Sequence, residues 1–182
     1  ELDSLSTSAI WVYLIGVYLY AYMDFSAYTD IAIGVSLLMG IRIMENFNYP
    51  LIAKNIGDFW KRWHMTLAGW CQAYIYLPAL GASRNVYVSV ATFIVMGLWH
   101  AGTMGWLMWG LYHAIGVSVY LKWLRIKRRR KWRNIAGPLG DALGVLMTFA
   151  FVSASYSFTV IHQQASYMDG LRLFGKLFFI EL

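Results

Sequence analysis

The chain has 182 residues, of which 59% are hydrophobic and only 13% charged, and its mean hydropathy is positive. A soluble domain carries roughly 25% charged residues, so the polar shell of a water-soluble globule is missing. The net charge is +6, but seven of the fifteen basic residues lie between Arg125 and Arg133, which reads as a cytoplasmic loop or an anionic-lipid patch beside an apolar span and not as a nucleic-acid surface.

Nine Trp and thirteen Tyr suit the aromatic belts of a membrane protein. The single cysteine, Cys71, excludes an internal disulfide and a thiolate metal cluster, and no metal is expected. The chain begins at Glu1 and shows no signal-peptide pattern; the expectation is a piece of a longer membrane protein.

In chain order, residues 8–23 are apolar and tyrosine-rich, shorter than the roughly 20 residues a span needs. The block DFSAYTD then sets Asp24 and Asp30 in an apolar zone before the run resumes to Ile41. Residues 8–41 are therefore expected to be broken helices around a polar interruption, which is tolerated at membrane depth only where protein or a water-filled cavity surrounds it. RIMENFNYP ends in Pro50 and reads as a turn. Residues 55–70 read as an amphipathic interfacial helix, with Asp58 and Arg62 spaced to pair.

PALGASRN, starting at Pro78, reads as a loop, and 86–123 as a short hairpin. Its first arm, 86–99, would cover about 21 Å, two-thirds of a hydrocarbon core of about 30 Å. With the basic loop inside, this arm rises from the cytoplasm and His100 sits deep, at the turn of a re-entrant hairpin. Residues 139–160 read as a transmembrane helix and 163–182 as an amphipathic tail.

Two Trp-His pairs stand out, Trp63-His64 and Trp99-His100. An ionisable group at membrane depth needs a partner or a task, and a neutral imidazole can take a proton from a hydroxyl while that oxygen attacks a carbonyl. In a membrane such a reaction is acyl transfer, thioester in and ester out. His64 would orient the donor or stabilise the oxyanion. No Gly-x-Ser-x-Gly motif is present, so direct transfer is simpler than an acyl-enzyme. The plainer readings stand beside these: His64 at the headgroups, His100 bonded to a helix-end carbonyl, His113 packed on one face with Trp106 and Trp109, His162 solvated. Asp24 and Asp30 would then be helix caps and the tryptophans lipid anchors.

Five blocks appear in a fixed order: DFSAYTDIAIG from Asp24, ENFNYP from Glu45, FWKRWHMTL from Phe59, GLWHAG from Gly97 and WGLYH from Trp109. Together they resemble the bacterial membrane-bound O-acyltransferases, in the branch of alginate O-acetylation and D-alanyl-teichoic-acid transfer. The resemblance covers about residues 20 to 120 and implies the C-terminal half of that fold. It implies a tunnel with the reactive histidine at its waist, matched by His100, and a second histidine matched by His64. It further implies a cytoplasmic thioester of coenzyme A or a carrier protein as donor, and a polysaccharide, teichoic acid or periplasmic relay protein as acceptor. Cys71-Gln72-Ala73 replaces the family's usual Arg-Asp pair, Pro78-Ala79-Leu80-Gly81 only approximates its proline-glycine loop, and Ser153-Ala154-Ser155-Tyr156 lacks an expected arginine.

The expectation is thus an all-α, multi-pass protein of the bacterial inner membrane with a re-entrant hairpin and an interfacial helix. It would move an acyl group, expected acetyl, to a hydroxyl of an envelope or exported polysaccharide, directly or through a periplasmic acyltransferase partner. His100 is the expected general base and His64 its catalytic partner. Asp24, Ser26, Tyr28, Asp30, Asn48, Trp63, Trp99 and His113 are expected to line the substrate pocket. No bound cofactor and no nucleic acid are expected; membrane lipid and the thioester donor are. Two rivals are a transporter or channel subunit with Asp24, Asp30 and His100 along an ion path, and a scaffold in which the histidines only pack.

Overall fold

The computed structural model describes residues 5–80, 86–132, 137–160 and 167–180, and among these every regular element is helical. The first helix, α1, runs unbroken over Thr7–Leu38, with the Ser6 hydroxyl accepting from Ala9 N at its start. The break expected around residues 24–30 is not there. Asp24 and Asp30 point outward from the helix and are exposed. The hydroxyls of Thr29 and Ser36 fold back onto the carbonyls of Ser26 and Ile33, both at 2.8 Å, so local polar groups are satisfied without interrupting the ladder. Gly40, at φ +76°, ends the helix by turning the chain so that Ile41 N reaches Ser36 O at 2.9 Å.

Only Ile10, Leu14 and Tyr18 of α1 are buried. Their spacing of four makes one stripe, which packs on α7 (Pro138–Ser155) and α8 (Tyr167–Lys176). The ring of Tyr18 continues the stripe into an aromatic cluster, 5.2 Å from Phe149 and 5.9 Å from Tyr156. Two segments, Thr7–Leu38 and Pro138–Phe158, are long and apolar enough to cross a membrane.

The interfacial helix expected at 55–70 is two short helices, α2 (Ile56–Phe59) and α3 (Met65–Cys71). The ladder breaks between them because loop 41–49 competes for its backbone groups. Asn48 N donates to Arg62 O and Met65 N donates to Asn46 O, both at 2.9 Å. The expected Asp58–Arg62 pair forms at 2.8 Å. Burial pushes the Asp58 carboxyl up, but the Arg62 hydrogen bond, the Lys54 backbone N–H and the nearby cations hold it below its usual range. A π-helical turn at Gln72–Tyr76 and α4 (Leu77–Leu80) follow. The remainder of the predicted 78–85 loop lies outside the described residues.

Helices α5 (Val86–Ala101) and α6 (Met104–Arg129) share the most extensive helix–helix contact among the described residues. The reason is a glycine on each face. A Cβ at Gly97 would stand 2.4 Å from Trp106 O, and one at Gly110 2.4 Å from Phe93 O, so the backbones touch where any side chain would hold them apart. Helix α6 continues well past the expected hairpin end at 123, into the stretch read as a basic loop. Lys and Arg are good helix formers, and cations at a helix C-terminus complement its dipole. The transmembrane segment expected at 139–160 corresponds to α7 and the 3-10 turn Tyr156–Phe158, and α8 lies within the expected tail. His162 and Arg133 lie outside the described residues.

Candidate functional site

His64 is held by three structural choices at once. It takes a left-handed backbone conformation, φ 46° and ψ 54°, at the N-cap of α3, an uncommon state for a residue with a side chain. Its Nδ1 lies 3.0 Å from Asn46 Oδ1. The same oxygen accepts from Thr66 N at 3.3 Å and from Thr66 Oγ1 at 2.9 Å. Asn46 is buried, 5% exposed, so this network is shielded from water.

The network assigns the tautomer. Thr66 N can only donate, which identifies the Asn46 atom facing it as the carbonyl oxygen. An oxygen in that position can bond to His64 Nδ1 only if Nδ1 carries the proton. The neutral ring therefore presents a lone pair at Nε2. Burial, and second to it the nearby His100, lower the His64 pKa to about 4, so the neutral form prevails at pH 7. Such a ring accepts from a hydroxyl and has no Nε2 proton to give an oxyanion.

The other face of His64 meets α1. Phe25 stands edge-on to the imidazole, with centroids 4.8 Å apart. Phe47 bridges Phe25 at 5.2 Å to Trp63 at 5.1 Å, and Trp63 stacks on Phe59 at 5.6 Å. Trp63 is thus a wall of this aromatic ladder.

His100 ends α5, where Gly102 at φ +62° turns the chain toward α6 and Thr103 caps α6 by accepting from Trp106 N. Its ring lies flat on Trp106, with centroids 4.3 Å apart and planes at 15°. Trp99 is 5.1 Å and Trp109 5.6 Å away. His100 is exposed on this chain, as is Trp99, and the imidazole makes no hydrogen bond among the described residues. The stack fixes its plane.

The remaining predicted pocket residues divide. Asp24, Tyr28 and Asp30 are exposed on α1 and Ser26 is half-buried; the residue of that block that reaches His64 is Phe25. Asn48 is exposed and acts through its backbone, its carbonyl accepting from Arg62 Nη1 at 3.2 Å. His113 is 1% exposed, enclosed by Trp109 at 4.6 Å, Trp60 at 5.2 Å and Phe151 at 5.5 Å. Neither of its nitrogens, nor Trp60 Nε1, has a hydrogen-bond partner among the described residues. Sequence reasoning missed Asn46 and Thr66 as site residues. The only available signal was a turn-forming Asn in one block and a hydroxyl two residues after the histidine in another.

Residues 3–159 match the MBOAT, membrane-bound O-acyltransferase, family pattern. A teichoic acid D-alanyltransferase of Bacillus subtilis is 34% identical over 78% of this chain and 38% of its own length. A protein named "Probable alginate O-acetylase" of Pseudomonas aeruginosa is 36% identical over 97% of this chain and 33% of its own. A peptidoglycan O-acetyltransferase of Helicobacter pylori is 35% identical over 85% and 29%. The chain spans about a third of the length of these relatives.

Proposed function

The chain belongs to the membrane-bound O-acyltransferase family, and on that premise we propose that His64 and His100 carry out acyl transfer from a thioester to a hydroxyl. The observation that carries the reading is the geometry of the pair. One imidazole is held at Nδ1 by Asn46, which leaves a lone pair at Nε2, and the other is stacked on Trp106 with no hydrogen-bond partner among the described residues.

His100 is the general base. It takes the acceptor hydroxyl's proton as the oxygen attacks the thioester carbonyl. The tetrahedral intermediate collapses, the C–S bond breaks, and the imidazolium returns its proton to the departing thiolate. His64 Nε2 accepts from the acceptor hydroxyl or a neighbouring one and orients it. Its committed tautomer argues against the oxyanion role. Trp63 and Trp99 form apolar walls, and Asp24, Ser26, Tyr28, Asp30, Asn48 and His113 remain proposed contributors to pocket polarity.

The donor is a cytoplasmic thioester of coenzyme A or a carrier protein, and no cofactor stays bound. The acceptor is a hydroxyl of an envelope or exported polysaccharide, reached directly or through a periplasmic acyltransferase. The activities for which the relatives are named, D-alanylation of teichoic acid and O-acetylation of alginate and peptidoglycan, support that class. The whole protein sits in the bacterial inner membrane as a multi-pass protein, with α5 and α6 as a re-entrant catalytic hairpin. The ion-path rival is the weaker reading, because the relatives are named for acyl transfer. A chromosomal His100→Ala strain tests the reading: the envelope polymer loses its ester-linked acyl groups while the protein still inserts. Undiminished ester content would overturn it.

A further inference from the structure

A cavity of about 850 Å³ opens where the C-terminal end of α6 meets the first turns of α7 and the chain around Lys54. It lies apart from both site histidines, neither of which lines it. Four cations face it, Lys54, Lys127, Arg128 and Lys131, against one carboxylate, Asp141. That carboxylate is already paired with Lys54, whereas Lys127, Arg128 and Lys131 form no ion pair among the described residues. Trp123 and Trp132 form an aromatic wall, with rings 5.6 Å apart.

The backbone is bent to build this wall. Lys131 sits at φ +53°, the left-handed position that ends many helices and that glycine usually fills. Trp132 N reaches back to Lys127 O at 3.1 Å, and Lys131 N to Arg128 O at 3.3 Å, completing the turn that folds Trp132 against Trp123. A lysine held where glycine is easier is a local cost to the fold. Its side chain lines the cavity, which gives that cost a use.

We propose that this cavity binds a net-negative phosphate group. Ammonium and guanidinium donors converge on phosphate oxygens, and the tryptophan wall receives an apolar body attached to the phosphate. Two sources share this chemistry, an anionic phospholipid headgroup and a soluble phosphorylated molecule. The assignment does not depend on the acyl-transfer reading.

The test uses the full-length protein, with phosphatidylglycerol, phosphatidylcholine and inorganic pyrophosphate as probes. Native mass spectrometry counts retained lipid, and calorimetry follows pyrophosphate. A cation near a membrane surface contributes about 1 kcal/mol, or about fivefold. Lys127→Gln/Arg128→Gln should therefore weaken binding about 25-fold. Lys122→Gln/Arg129→Gln removes the same charge outside the cavity and should stay within about twofold. Lys131→Gly should weaken binding about fivefold while the melting temperature holds or rises, because glycine relieves the turn. Selective retention of phosphatidylglycerol over phosphatidylcholine supports the lipid source. Saturable pyrophosphate binding without lipid selectivity supports the soluble one. Preference for neither, or equal loss in the Lys122/Arg129 variant, overturns the proposal.

Discussion

Adding one methyl group at Gly97 tests how helices α5 and α6 are held together. The new Cβ would lie 2.4 Å from Trp106 O, and that oxygen belongs to the backbone of α6, so it cannot swing aside as a flexible side chain could. Restoring ordinary contact requires α5 and α6 to separate by about 1 Å, and overpacking of this kind costs about 1–3 kcal/mol. The consequence for chemistry is larger, because Trp106 carries the ring on which His100 lies. A displacement of about 1 Å at a reacting group can lower a rate about 100-fold. Gly97→Ala in the whole protein should therefore lose most transferase activity, measured as ester formed from a radiolabelled thioester, and should melt earlier. Gly69→Ala is the control: nothing lies within 4 Å of its Cβ, and replacing a helical glycine by alanine there is neutral or stabilising by up to about 1 kcal/mol. A Gly97→Ala protein as active and as stable as the Gly69→Ala one would refute the close-approach argument.

Asn46→Ala strips His64 Nδ1 and both Thr66 donors of their acceptor, which should destabilise by about 1–3 kcal/mol and populate both His64 tautomers; imidazole 15N shifts read this, and a ring still fixed as Nδ1–H would contradict the assignment. With its pKa lowered to about 4, His64 stays neutral as pH falls from 8 to 5 and is half-protonated only at about pH 4, so the pH–rate profile should show no inflection near 6.5 that disappears in His64→Gln. His113→Phe exchanges a buried, unpartnered imidazole for a ring of similar shape among aromatics, so the melting temperature should hold or rise; a fall of several degrees would show that His113 is satisfied by a bound water or ligand.

The sequence carried the helical class because apolar runs of helical length leave little choice, and it carried the two Trp-His pairs because ionisable groups in such runs are conspicuous. It expected a break in α1 that is not there. Asp24 and Asp30 are polar in a nearly apolar run, and a one-dimensional reading cannot see that both project from the same continuous helix. It extended one helix through 60–64 because local periodicity favours it, whereas the winning hydrogen bonds come from Asn46 and Asn48, more than a turn of chain away. It stopped α6 too early by treating a basic run as a loop, when only the left-handed turn at Lys131 ends it. The Asn46–His64–Thr66 network is the least legible part. It joins two segments that no spacing rule links, and it decides which imidazole nitrogen faces outward.

The most direct measurement of the central claim is single-turnover acyl transfer by the purified whole protein carrying His100→Gln, following thioester loss and ester gain together. Removal of the general base should slow ester formation by about 100-fold or more while donor binding persists. Ester formation at the wild-type rate would contradict the assignment of His100 as the base.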